Sequence, residues 1–213
     1  MPFFGPRDDQ HDPKEVILPA NFNNPPTKDQ PLKTRIFQQG YYERGHSGLP
    51  LQTEADWRRM IANYWGLCSL VDTHVCTILQ TLEECDLRER TIVVYTSEHG
   101  DMMGSHRLLA KCVMFEEALR VPFLLRLPGQ RSPWRVKGPV SQIDLVPTLL
   151  DLLGQPIPDG LEGKSLKPLL EKGQDVTHTE DVFVEWNGHN NGFGDLIGQV
   201  SIPDWMRKYA SQE

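Results

Sequence analysis

The sequence predicts an α/β fold, on three observations. A helical apolar repeat runs from Thr53 to Leu82, short β-branched and aromatic runs stand on either side of position 110, and a second helical pattern follows before a third such run. The alternation of strands and helices implies a mainly parallel sheet flanked by helices. The chain has 213 residues, of which 38% are hydrophobic, enough for one sizeable core.

The elements follow in order. Residues 1–50 are rich in proline, glycine and asparagine ("NFNNPPTKDQP", "RGHSGLP") and read as a long irregular surface segment. From Thr53, residues Trp57, Ile61, Tyr64, Cys68, Val71, Val75, Ile78 and Leu82 recur at three and four positions, as one buried face of a helix of about nine turns requires. "RTIVVYT" (90–96) and "RVPFLLRLPG" (120–129) read as strands, the second closed by a Pro-Gly turn, with "VMFEEALR" between them as a short helix. "SQIDLVPTLLDLLG" (141–154) has helical spacing and Gly154 as its stop, and "DVFVEW" (181–186) reads as a third strand. The length of 213 residues predicts one domain, or one and a fraction.

Composition narrows the functional classes. A net charge of −7 without a basic run gives no nucleic-acid surface and no attraction to an anionic membrane. No apolar run approaches the roughly 20 residues of a membrane span, no signal peptide is visible, and the compartment stays open. Cys68, Cys76, Cys85 and Cys112 form no CxxC pair and read as buried free thiols.

The chemistry concentrates in "TIVVYTSEHGDMMGSHRLLAK" (91–111), where the chain leaves a strand and at once presents charged groups. In open α/β sheets ligands bind at that place. Glu98 and His99 offer a hard oxygen and an imidazole nitrogen that could converge on one ion, and Gly100 allows a sharp turn. Lys111, twelve positions beyond His99, could hold a tetrahedral oxyanion. On spacing alone the triplet fits a solvated loop as well as a metal site, and Lys111 fits an exposed capping cation.

The stretch "TIVVYTSEHGDMMGSHRLLAKCVMFEEALRVPFLLRLPG" resembles the sulfatase family of the alkaline phosphatase superfamily. Its members carry a strand, Ser-Asp-His-Gly, Leu-Gly-x-His, a lysine, Tyr-Glu-Glu, Arg-Val-Pro and a strand ending in Pro-Gly. "YWGLCSLVDTHVCTILQTLEECDL" before it, and "SQIDLVPTLLDLLG" and "LEGKSLKPLL" after it, look like the same family in the same order. The resemblance implies part of an alkaline-phosphatase-like sandwich, with 1–175 as the C-terminal part of the catalytic α/β domain and 176–213 as the truncated beginning of a smaller C-terminal subdomain, and hydrolysis of sulfuric esters, with small-molecule or glycan sulfates as substrates. It puts Glu98 and His99 on a divalent metal, Ca2+ or alternatively Mn2+, and Lys111 on the sulfate and leaving-group oxygen.

His106 matches the histidine of Leu-Gly-x-His, with a packing role ahead of a substrate contact, while Glu116 and Arg120 match loop-fixing positions. "FFGPRDDQHDPKEVILPANF" resembles the family stretch with Pro-His-x-Pro and Leu-Pro-x-Asn-Phe, where Arg7 takes the histidine's position and His11, four residues on, is the substrate-binding candidate. The family's nucleophile, a formylglycine made in a Cys/Ser-x-Pro-Ser/Ala-x-Arg type segment, has no counterpart here, since no cysteine is followed by proline two positions later and "RSPWR" has its proline immediately after the serine. The chain thus reads as a fragment, inactive by itself and prone to self-association through uncovered sheet edges. Two rival readings stand beside this one: a phosphonate monoester or phosphodiester hydrolase of the same superfamily, and a non-catalytic interaction module.

Overall fold

In the computed structural model, which describes residues 5–185, the long helix is present as α2, Glu54–Glu84. It starts where it does because Thr53 and Asp56 form a capping box. The Asp56 amide donates to Thr53 Oγ1 at 3.2 Å, and the Thr53 amide donates to Asp56 Oδ2 at 2.7 Å. Burial alone would raise the Asp56 carboxyl, but these hydrogen bonds outweigh it and hold the group below its usual range. Thr53→Ala is expected to lower stability by about 1 kcal/mol, measurable as a shifted urea midpoint.

Burial along α2 is uneven. Trp57, Met60, Ile61, Ala62, Asn63 and Gly66 are buried. Trp57 and Met60 share a cluster with Phe22, Leu49, Leu51 and Leu109, and the Trp57 indole donates to Leu51 O at 3.1 Å. Beyond Gly66 the same apolar periodicity faces outward, with Val71 49% and Ile78 62% exposed. The expected buried face is therefore realised over the first half only. Cys68, Cys76 and Cys85 are free as expected but exposed rather than buried, because they lie on this uncovered half, and Cys112 is half-buried.

The segment 1–50 is less irregular than its composition suggests. It contains α1, Leu32–Arg44, entered from Pro31 and stopped at Gly45, whose φ of 68° is a helix-ending conformation. Ahead of α1, residues 5–16 strap across α2. Arg7 Nη1 donates to Ser69 O at 3.0 Å, and a Cβ on Gly66 would lie 2.0 Å from Arg7 O, so only glycine permits this crossing.

Strands β1, Val93–Thr96, and β2, Phe123–Arg126, pair antiparallel, with Val93 opposite Arg126 and Thr96 opposite Phe123. A mainly parallel sheet was the expectation; among the described residues only β3 (Val136–Lys137) and β4 (Val176–Thr177) are parallel. The reason lies in the connection. Residues 97–122 contain a 3-10 turn at Ser105–Arg107 and one short α-helix, α3 (Glu116–Leu119), both too short to carry the chain back along the sheet, so it returns at the end it left.

Residues 5–126 form one compact unit of the described chain and 127–185 another. The second holds β3, α4 (Leu145–Leu152), α5 (Lys167–Leu170) and β4. Gly154, φ 66°, follows α4 as predicted. In this unit Asp151 accepts from Ser165 Oγ at 2.6 Å and from Lys167 Nζ at 3.1 Å, which ties α4 to the start of α5. Residues 181–185 of the third expected strand are not in a strand, and Phe183 is 92% exposed. Trp186 and most of the expected C-terminal subdomain lie outside the described residues.

Candidate functional site

The excursion between β1 and β2 is a set of nested backbone pairs. The Gly100 amide donates to Ala118 O at 2.9 Å, Met102 to Ala110 O at 2.8 Å, and Gly104 to Leu108 O at 2.9 Å. Its interior is apolar, with Met102, Leu108, Val113 and Ala118 buried together. Its backbone is unusual. Of the seven non-glycine residues with positive φ in the described chain, five are here: Met103, His106, Arg107, Ala110 and Cys112. Such conformations cost of order 1 kcal/mol or more each and cluster at functional sites.

Glu98 and His99 sit at the entry. The side chain of Glu98 is 84% exposed, that of His99 32%. His99 Nδ1 lies 2.8 Å from Gly100 O, a carbonyl that can only accept, so Nδ1 carries a proton. Nε2 is 2.8 Å from Glu98 Oε1 without forming a hydrogen bond to it. A carboxylate oxygen and an imidazole nitrogen thus stand side by side. For metal bonds of about 2.1 to 2.4 Å, ligands at right angles are roughly 3.0 to 3.4 Å apart, close to the separation found. Among the described residues no group of three or more His, Cys, Asp or Glu side chains could hold a metal ion.

Asp101, not singled out from the sequence, organises the turn. Its Oδ1 accepts from the amides of Met103 at 3.0 Å and Ala110 at 2.9 Å, bridging the loop. Burial raises its carboxyl above the usual range, against those hydrogen bonds and the nearby charges of Lys111 and His99. Lys111 itself is exposed. His99 and Lys111 thus both lie within electrostatic reach of one half-buried carboxylate.

The other two candidates lie elsewhere. His106 stacks on Phe115 at 4.4 Å, with Nε2 at 3.1 Å from Asn21 Nδ2 and Nδ1 at 2.7 Å from Asn24 O. Both ring nitrogens are occupied, which leaves none for a substrate oxygen. His11 packs edge-on against Trp65, its Nε2 3.0 Å from Ser69 Oγ, at an open cleft of about 610 Å³ that also meets Asp8, Asp9, Arg59 and Asn63.

Asn21 is a latch that the Leu-Pro-x-Asn-Phe likeness could have flagged. Its amide also donates to Glu117 Oε1 at 2.7 Å, and its carbonyl accepts from the His106 amide. Burial alone would raise the Glu117 carboxyl, but hydrogen bonds led by that from Asn21 hold it below its usual range. A depressed folded pKa adds stability that is present at neutral pH and lost as pH falls through the lowered value. Asn21→Ala is expected to cost about 1–3 kcal/mol and to bring acid unfolding to higher pH, followed by tryptophan fluorescence.

Comparison with known proteins gives the family. The sulfatase family model matches residues 9–155. Arylsulfatase K of Danio rerio is 36% identical over 156 residues, covering 72% of this chain and 29% of that protein. The phosphonate monoester hydrolase of Silicibacter pomeroyi superposes with a TM-score of 0.69 at 29% identity, covering 84% of this chain and 35% of the other. A protein solved in complex with its substrate, D-glucosamine-2-N,6-O-disulfate, superposes with a TM-score of 0.54 at 28% identity, covering 70% and 32%. The chain spans about a third of the length of the proteins it matches. With its α/β fold and its Glu-His-Gly turn at the end of a strand, the chain belongs to the sulfatase family, which acts on sulfate esters.

Proposed function

We propose that this chain forms one wall of a sulfate-ester hydrolase site, with Glu98 and His99 on a divalent cation and Lys111 on the sulfate and leaving-group oxygen. The support is the Nε2 of His99 lying 2.8 Å from Glu98 Oε1 with no hydrogen bond between them, two candidate ligand atoms already adjacent. Calcium suits the carboxylate oxygen, and manganese the added imidazole. When bound, the cation would polarise the sulfate oxygens as a Lewis acid. Lys111 would bind the anion and offset charge on the departing oxygen. Asp101 holds the loop between Met103 and Ala110 and faces the lysine with opposite charge.

None of Cys68, Cys76, Cys85 or Cys112 lies in a Cys-x-Pro sequence, and the one Ser-x-Pro, at Ser201, is not followed by Ser/Ala-x-Arg, so formylglycine does not fit the residues present and no nucleophilic step is assigned. Purified chain is accordingly expected to bind 4-nitrophenyl sulfate in the presence of CaCl2 without releasing 4-nitrophenol. Lys111→Ala should weaken that binding about tenfold, as loss of a charge-assisted contact does, measured by calorimetry. Unchanged affinity would remove Lys111 from the site, and turnover by the chain alone would show a nucleophile within it.

A second reading keeps the same residues and changes the ester to a phosphonate monoester or phosphodiester. The match to the phosphonate monoester hydrolase favours it. Competition between phenyl sulfate and a phenylphosphonate monoester for the same site separates the two. A glycan sulfate is the substrate class favoured by the neighbour solved with a disulfated glucosamine.

A further inference from the structure

Beyond Tyr64 the apolar repeat of α2 continues as Cys68, Val71, Val75, Ile78, Leu82 and Cys85, at alternating steps of three and four. That alternation is the heptad period of a helix seam. Cys68, Val71, Ile78 and Cys85 are exposed, and Val75 and Leu82 are half-buried. The opposite face is polar and already satisfied. There the hydroxyls of Thr73 and Thr77 each donate to the carbonyl four residues back at 3.0 Å, and residues 5–16 cross the helix at Gly66 and Ser69. Of the charged residues between 68 and 85, which are Asp72, Glu83 and Glu84, only Asp72 flanks the stripe.

The fold sets both ends of this window. Toward the N-terminus, Trp57, Ile61 and Tyr64 continue the same stripe but pack in the chain's own clusters. Toward the C-terminus, the helix stops at Glu84 with Cys85 as its cap. Within those ends the stripe is complementary to itself. Turned end for end, it sets Cys68 against the partner's Cys85, Val71 against the partner's Leu82 and Val75 against the partner's Ile78, all symmetric about one midpoint between Cys76 and Thr77. In a parallel pair the residues that cover Trp57 to Tyr64 in each copy would meet at one end. Turned end for end, they lie at opposite ends.

We infer that a second copy of this chain covers this face, the two α2 helices packing antiparallel about a two-fold axis through that midpoint. The contact joins helix faces rather than sheet edges, and it rests on α2 alone, not on the site proposed above.

Sedimentation of the full chain under reducing conditions should give a monomer–dimer equilibrium with Kd on the order of 10 µM, the weak end of specific interfaces for so short a seam. Ile78→Asp should raise that Kd at least about tenfold by burying a charge. Its thermal midpoint, read below the dimerisation range, should match the parent's, because Ile78 is already 62% exposed in one copy. Leu124→Asp, an exposed position on β2, should leave the dimer intact. A short bismaleimide reads the orientation in chains carrying Cys76→Ser and Cys112→Ser. Burial pushes the Cys68 thiol above its usual range, so the reaction is run at mildly alkaline pH. Cys68 and Cys85 stand about 26 Å apart along one helix, beyond the reagent's reach, so a Cys68–Cys85 link forms only between copies. Peptide mapping should find that link. Links joining Cys68 to Cys68, or a dimer lost in Leu124→Asp but kept in Ile78→Asp, would overturn the inference. So would a monomer up to about 200 µM, twentyfold above the expected Kd, which would leave the stripe to a different protein or chain segment.

Discussion

Gly100→Ala is expected to lower stability by about 3 kcal/mol, a fall in Tm of roughly 6 to 12 °C for a chain of this size. An added Cβ would lie 1.9 Å from the carbonyl oxygen of Glu117 and 2.9 Å from its carbonyl carbon. Both are backbone atoms, so no rotamer change relieves the clash. The Gly100 amide also donates to Ala118 O, and moving one backbone away breaks that pair and opens the excursion next to His99. Gly160→Ala is the matched control: its Cβ meets nothing within 4 Å. Calorimetric unfolding of both variants checks this, and a Gly100→Ala midpoint within 2 °C of the parent would contradict it.

His99→Ala and Glu98→Gln should each weaken calcium binding by about 100-fold or more. Removing a group that merely orients a metal ligand typically costs 10- to 100-fold, so losing a ligand in a two-ligand wall sits at the upper end. Ser97 tests the distinction, since its hydroxyl donates to the His99 carbonyl at 2.8 Å and touches neither ligand atom. Ser97→Ala should lose less than tenfold. Calorimetry with CaCl2 and MnCl2 reads all three variants, and calcium affinity unchanged in both ligand variants would take the metal away from this turn.

Much of this arrangement was legible because it rests on local rules. The capping box at Thr53 and Asp56, the apolar period of α2 and the β-branched runs of β1 and β2 are signals within a few residues of the element they create. The Glu98-His99 pair at the end of β1 was legible for the same reason. The helix α1 was obscured because its apolar residues, Ile36, Phe37 and Tyr41, sit among glutamines, arginines and prolines, although Gly45 marked its end. Asp101 and Asn21 act over 9 to 96 positions of sequence, through hydrogen bonds that spacing cannot display. The antiparallel pairing of β1 with β2 depends on the path of residues 97–122, which has no periodic signature.

The nesting of that path has a kinetic consequence. The pair Gly104–Leu108 encloses a few residues, Met102–Ala110 slightly more, Gly100–Ala118 more again, and Thr96–Phe123 closes the whole. Each closure adds a short length of chain to a loop already shut, so the entropy lost per step is small. The turn that begins at Glu98 and His99 can therefore zip from its tip toward the strands as a low-contact-order unit. Its assembly does not wait for the distant latch from Asn21, which then acts as a lock on a loop already formed.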